Sequence, residues 1–172
     1  MDSQNNSPSM TAKLILFFVI RTKGNITKTQ LVKFLYLADL YSVKWLGEQI
    51  TNLNWYFYNH GPWEQDIQNC LNKMNGKQIQ QIDGSGKTIL IKPGSEVPKE
   101  SDLSLPESMI LMLENIRKEW AGSGKEKFNG LMDYVYNTAP MKEVLARGLT
   151  PQNQEPLNLS IAHEHIRKEL DI

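Results

Sequence analysis

The stretch Thr27-Lys28-Thr29-Gln30-Leu31-Val32-Lys33-Phe34-Leu35-Tyr36-Leu37-Ala38-Asp39-Leu40-Tyr41-Ser42-Val43-Lys44-Trp45-Leu46-Gly47 decides the fold class. Thr27 and Gln30 stand at capping-box spacing, where each side chain satisfies a backbone donor at a helix start. Gly47 is the matching stop. Between Leu31 and Leu46, 12 of 16 residues are apolar or aromatic, and only Lys33, Asp39, Ser42 and Lys44 interrupt them. A helix this apolar is buried around most of its circumference, so the rest of the chain must wrap it. At 100° per residue Lys33 and Lys44 fall together on one edge, and Asp39 and Ser42 fall on another side. A carboxylate in such a helix must find donors or stay protonated. The Tyr58 hydroxyl, His60 or backbone amides near Gly61 would make Asp39 a structural latch; the alternative is a role in partner recognition.

Working outward, Ser9 to Lys23 reads as a short apolar helix stopped by Gly24. Trp55 to Tyr58 is an aromatic strand, with Trp55 and Phe57 on one side and Tyr56 and Tyr58 on the other. It breaks at Asn59-His60-Gly61-Pro62, and Pro62 suits the first turn of a helix over Trp63 to Met74. Gln78–Ile82 and Thr88–Lys92 flank Asp83-Gly84-Ser85-Gly86, which is a hairpin signal. Ser104-Leu105-Pro106-Glu107 has capping-box spacing and opens a helix to Trp120. Helical patterns recur over Lys125–Tyr136, Pro140–Arg147 and Ser160–Leu170.

These elements imply a predominantly α-helical α+β fold. It is a single domain of about six helices with a short aromatic strand and a small β-hairpin, winged-helix-like in its N-terminal half. The expected organisation is a flexible N-terminus over 1–8, the domain over 9–150 and a C-terminal extension with a short helix over 151–172.

Composition narrows function. The chain has 172 residues, 40% hydrophobic and 22% charged, with 19 cations against 19 anions. Zero net charge argues against a whole-body polyanion binder. It conceals a segment, 9–46, with six cations against Asp39, or +5, beside a remainder with 13 cations and 18 anions, or −5. The longest apolar run, Leu14 to Ile20, is seven residues, well short of the roughly 20 that cross a bilayer. The lone Cys70 excludes an intrachain disulfide framework and fits a reducing, cytoplasmic setting.

Catalytic motifs do not assemble. Gly84-Ser85-Gly86-Lys87-Thr88 lacks the leading glycine of a phosphate loop, having Gln81 there, and runs into a strand. Gly122-Ser123-Gly124-Lys125 is followed by Glu126 and reads as a turn between helices. His163 and His165, two apart on a helix, point to different sides and do not share a metal. A hydrolase using Cys70 and His60 has no supporting spacing. The reading is a non-enzyme with no metal and no cofactor.

Ile26 to Tyr41 resembles the opening of the Panacea, or SocA-like, antitoxin domain, whose helix typically carries lysine-leucine-leucine-tyrosine-x-alanine-aspartate. Here the corresponding run is Lys33-Phe34-Leu35-Tyr36-Leu37-Ala38-Asp39. Gly47, the strand Trp55–Tyr58 and Tyr58-Asn59-His60-Gly61-Pro62 follow in the family's order, with Asn59-His60 where it often has lysine-tyrosine. Tyr134-Val135-Tyr136-Asn137-Thr138-Ala139-Pro140-Met141 is similar to the family's late segment, without the histidine some members carry there. The resemblance spans about residues 12–148. It implies a cytoplasmic antitoxin that neutralises a cognate protein toxin by direct contact, or an adaptor that delivers it to a protease, with Tyr36, Asp39, Gly61, Pro62 and Pro140 as structural motif positions. Candidate partner-binding residues are Trp55, Tyr56, Tyr58, His60 and Trp63 beside an edge of Lys28, Lys33 and Lys44; core packing is the competing role for each aromatic. The alternative function is a winged-helix-like DNA-binding regulator using those three lysines. No membrane partner is expected.

Overall fold

The computed structural model describes residues 8–171, so the expected flexible N-terminus, except for Pro8, lies outside the described residues. Among the described residues, seven α-helices and two small antiparallel hairpins surround one core. Helix α1 (Met10–Arg21) starts where the Ser9 hydroxyl accepts from the Ala12 amide, and it ends through Lys23 and Gly24, both at positive φ. Gly24 also lies where a Cβ would come within 2.8 Å of Pro93 Cδ, so no larger residue fits that turn. Helix α2 (Lys28–Leu46) has the expected capping box of Thr27 and Gln30 and the expected left-handed glycine, Gly47. From Gln30 to Leu40 every residue is buried. It is the axis on which the rest is built, and Phe18 packs on its Phe34 with ring centroids 5.2 Å apart.

Beyond α2, strand β1 (Tyr56–Tyr58) pairs with β2 (Gly61–Trp63). Helix α3 (Gln65–Met74) precedes β3 (Ile79–Asp83) and β4 (Ile89–Pro93), which form the expected hairpin. Helices α4 (Glu107–Trp120), α5 (Lys125–Tyr136), α6 (Ala139–Ala146) and α7 (Ser160–Glu169) complete the order. In the N-terminal half, Thr27 bridges Leu90 antiparallel and the Ile91 amide donates to the Ile26 carbonyl. The segment between α1 and α2 thereby adds a third, minimal strand to the β3–β4 hairpin, while the β1–β2 hairpin separates α2 from α3.

Two local expectations are corrected. Pro62 does not open a helix: it lies in β2 opposite Phe57, and α3 begins at Gln65. Its carbonyl accepts from Lys33, which holds the segment extended. The Ser104–Glu107 capping box does not form. Pro106 biases Leu105 toward extended backbone, so α4 starts at Glu107, while Ser104 takes a left-handed conformation at the end of a 3-10 turn over Glu100–Leu103. The C-terminal segment is tied to the same core. The Phe57 amide donates to Glu155, the Leu157 amide donates to Trp55, and Leu157, Leu159 and Ala162 are buried.

Candidate functional site

Four polar side chains of α2, each three residues after the last, fasten separate segments to the central helix. The buried Lys33 ammonium donates to the Pro62 carbonyl at 2.9 Å, and burial lowers its pKa to about 7. The Tyr36 hydroxyl lies 2.8 Å from Thr138 Oγ1, and its ring meets Trp55 edge-on at 5.5 Å. Asp39 is fully buried and accepts from the Ile50 and Thr51 amides, the Thr51 hydroxyl, the Trp55 indole and the Gln49 side chain. Burial pushes its carboxyl up, while the bonds from Thr51, Trp55 and Ile50 pull against that. Ser42 donates to the Glu48 carbonyl at 2.7 Å. At three-residue spacing each position is 60° further round the helix, so the four clasps reach different neighbours.

Asp39 is thus a latch, but its partners are in the 49–55 connection rather than Tyr58, His60 or Gly61. The loop after Gly47 turns straight back over α2, which brings those donors closer than the hairpin. Gly61 and Pro62 are buried at the turn of the β1–β2 hairpin; a Cβ on Gly61, whose φ is 111°, would meet the Tyr136 ring at 3.3 Å. Pro140 is buried in the first turn of α6, directly after the Tyr36 clasp at Thr138.

The candidate contact residues separate. Trp55 and Phe57 face the core at 2% exposure each, while Tyr56 and Tyr58 point the other way, as strand alternation requires. Trp55 and Lys33 (3% exposed) are therefore corrected from surface contacts to interior groups, one held by Asp39 and the other by Pro62. Tyr58, His60, Trp63 and Lys28 gather around a cleft of about 170 Å³ with Lys33 at its wall, and the Lys28 ammonium bonds Gln68 at 3.0 Å. Lys44 is at the far end of α2. The charge excess of the segment over 9–46 is offset in part, because Arg21 pairs with Glu100 and Glu114 from the acidic remainder.

Lys44 borders a different feature, an apolar groove of about 750 Å³ between the end of α2 and α4. Trp45, Leu46 and Leu111 stand 60%, 76% and 62% exposed along it, over Met109, Met112 and Ile116. One wall is braced by the Trp120–Tyr134 ring contact at 5.1 Å and the Tyr41–Tyr134 hydroxyl pair at 2.8 Å. Soluble chains seldom leave several large apolar side chains exposed along one groove. The sequence signal was Trp45-Leu46 at the end of an otherwise buried helix.

Chemistry is poorly served elsewhere. Among the described residues no group of three or more His, Cys, Asp or Glu could hold a metal ion. Burial pushes the Cys70 thiol up, away from the thiolate a nucleophile requires, and His60 is at the exposed hairpin turn. Gly84–Thr88 forms the tip of the β3–β4 hairpin, and Gly122–Gly124 joins α4 to α5. His163 caps the end of α2 through the Lys44 carbonyl. Among the described residues no helix is long and apolar enough to cross a membrane.

A helical α+β domain that fastens its strands to one central helix and leaves an apolar groove open has the character of a protein-contact module. The family comparison agrees: the model for the antitoxin SocA-like, Panacea domain matches residues 31–139, and the chain belongs to that family. The match runs from Leu31, just after the capping box of α2, through the Tyr36–Thr138 clasp. No curated protein and no solved structure matches the chain.

Proposed function

We propose that this chain is an antitoxin that neutralises a protein toxin in the cytoplasm by direct contact, with the groove between α2 and α4 receiving an apolar part of the toxin. The observation that carries the reading is the groove itself: a domain of an antitoxin family holds Trp45, Leu46 and Leu111 in water beside one another. Fully covering a leucine side chain contributes roughly 1.5–3 kcal/mol, so these residues have the size of interface hot spots. Methionines 109 and 112 let the groove adapt to the shape of what enters. The binding would need no catalytic group, in keeping with the family's character.

Coexpression with the product of the adjacent open reading frame tests the proposal. Growth rescue and copurification are expected, and both should be lost when Leu46 and Leu111 become aspartate. An unchanged toxin level during rescue identifies masking, whereas a falling level that depends on a cellular protease identifies delivery. Rescue by the double-aspartate variant would move the contact away from the groove.

A further inference from the structure

The cleft between the start of α2 and the β1–β2 hairpin has a cation in its wall. Lys33 is 3% exposed there, and its ammonium donates to the Pro62 carbonyl at 2.9 Å. An ammonium has three N–H donors, so the clasp to Pro62 leaves two for another acceptor. Among the described residues no carboxylate pairs with Lys33. Burial lowers its pKa to about 7, a cost that an apolar side chain of similar length would avoid. The lysine stem is also held in place. Its Cε lies 3.8 Å from where a Cβ on Gly61 would stand, so the hairpin turn closes directly on it.

The rest of the cleft suits the same partner. Lys28 and His60 bring further nitrogen donors, the Lys28 ammonium being fixed by Gln68 at 3.0 Å. None of the eight lining residues is acidic, in a chain that has as many acids as bases. Val32, Tyr58 and Trp63 supply apolar surface beside the cations. The volume of about 170 Å³ lies below the roughly 300–1,000 Å³ of pockets that take drug-sized ligands. It has room for one charged group on a short aliphatic stem, and none for a nucleotide.

We propose that this cleft receives the side-chain carboxylate of a glutamate or aspartate on a protein partner. The proposal rests on the reading that the chain binds a protein. It adds a charged contact about 20 Å along α2 from Leu46, at 1.5 Å per residue. One carboxylate oxygen accepts from Lys33 and the other from Lys28 or His60, bonds strengthened by the charges. The methylenes of the stem lie against Tyr58 and Trp63. A free carboxylate meets the same donors, but so few atoms bind weakly on their own. Carried on a partner that is docked elsewhere, the same group binds at a raised effective concentration.

The test is an NMR titration of the full chain with N-acetylglutamic acid N-methylamide at constant ionic strength. The Val32 methyls and the Trp63 indole report the cleft, and the Leu46 and Leu111 methyls serve as controls. Expected is saturable binding in the millimolar range, confined to the cleft. The glutamine analogue, which keeps the shape and lacks the charge, should give no response. Lys33→Met should weaken binding at least about tenfold, and Lys28→Ala about threefold; native-like signal dispersion shows that each variant is folded. The proposal is overturned by the lack of any saturable shift, by equal shifts from the glutamine analogue, or by binding that both substitutions leave unchanged. Tighter binding of acetate or inorganic phosphate than of the glutamate probe also overturns it, since the cleft would then serve a small free anion. Growth rescue scores the antitoxin reading separately, so failure of either is distinguishable from failure of the other.

Discussion

Replacing Asp39 by alanine should destabilise the domain more than any substitution at its surface. Five donors converge on this carboxylate: the Ile50 and Thr51 amides at 3.0 and 2.9 Å, the Thr51 hydroxyl, the Trp55 indole at 2.9 Å and the Gln49 amide at 3.2 Å. Gln49 and Ile50 are part-exposed and can turn to water. Thr51 and Trp55 are buried at 4% and 2% exposure, so the Thr51 amide and the Trp55 N–H lose their partner with no replacement. A buried unsatisfied donor costs about 1–3 kcal/mol. Two of them, with the void left by the carboxylate, come to about 3–5 kcal/mol after the relieved desolvation of the charge. Native stabilities are about 5–15 kcal/mol, so the variant should be marginal.

Asp39→Asn separates geometry from charge. One oxygen can still accept from Ile50 and Thr51, but the new NH₂ then faces the Trp55 N–H. The expected cost is about 2 kcal/mol, and Trp55→Phe in the same chain should return part of it, as a coupling of about 1 kcal/mol. Urea unfolding followed by circular dichroism measures all four members of the cycle. A cost below about 1 kcal/mol for Asp39→Ala would refute the latch.

Three further outcomes follow from the same geometry. Burial lowers the pKa of Lys33 in the folded chain to about 7, against 10.5 for a lysine in water, so between these values the unfolded chain binds the extra proton and stability rises with pH. The gain between about pH 7 and 9 is about 2 kcal/mol by urea unfolding, and Lys33→Met should flatten it; an equal slope in that variant would show that another group is responsible. Gly61→Ala forces a positive φ and crowds the Tyr136 ring, so a loss of about 1–3 kcal/mol is expected, with a matching fall in melting temperature. Leu46→Asp and Leu111→Asp, being 76% and 62% exposed, should change stability by less than about 0.5 kcal/mol while lowering toxin affinity more than tenfold; a large stability loss would mean that the groove is part of the core.

What could be read from the sequence was whatever local chemistry decides. Thr27, Gln30 and Gly47 bound α2 by capping and turn geometry alone, and the alternation in β1 sorted Phe57 from Tyr56 without knowledge of any neighbour. Lys33 and Trp55 were misplaced because a lysine and a tryptophan announce a surface only on average; both are interior here because an acceptor lies in wait, Pro62 for one and Asp39 for the other. Those acceptors come from 29 and 16 residues away in the chain, a separation that periodicity cannot see. Pro62 was misread as a helix start because it pairs with Phe57 in the β1–β2 hairpin and its carbonyl accepts from Lys33. The groove depends on a still longer relation, the end of α2 lying beside α4, so Trp45-Leu46 looked like one more turn of a buried helix. The polar residues that interrupt α2 therefore have a common logic that emerges only in three dimensions. Lys33, Asp39 and Ser42 each break the apolar pattern, and each is the point at which a separate segment is fastened to the helix. The two residues at its end that spoil nothing, Trp45 and Leu46, are the ones left mostly in water, and a partner molecule is the simplest way to cover them.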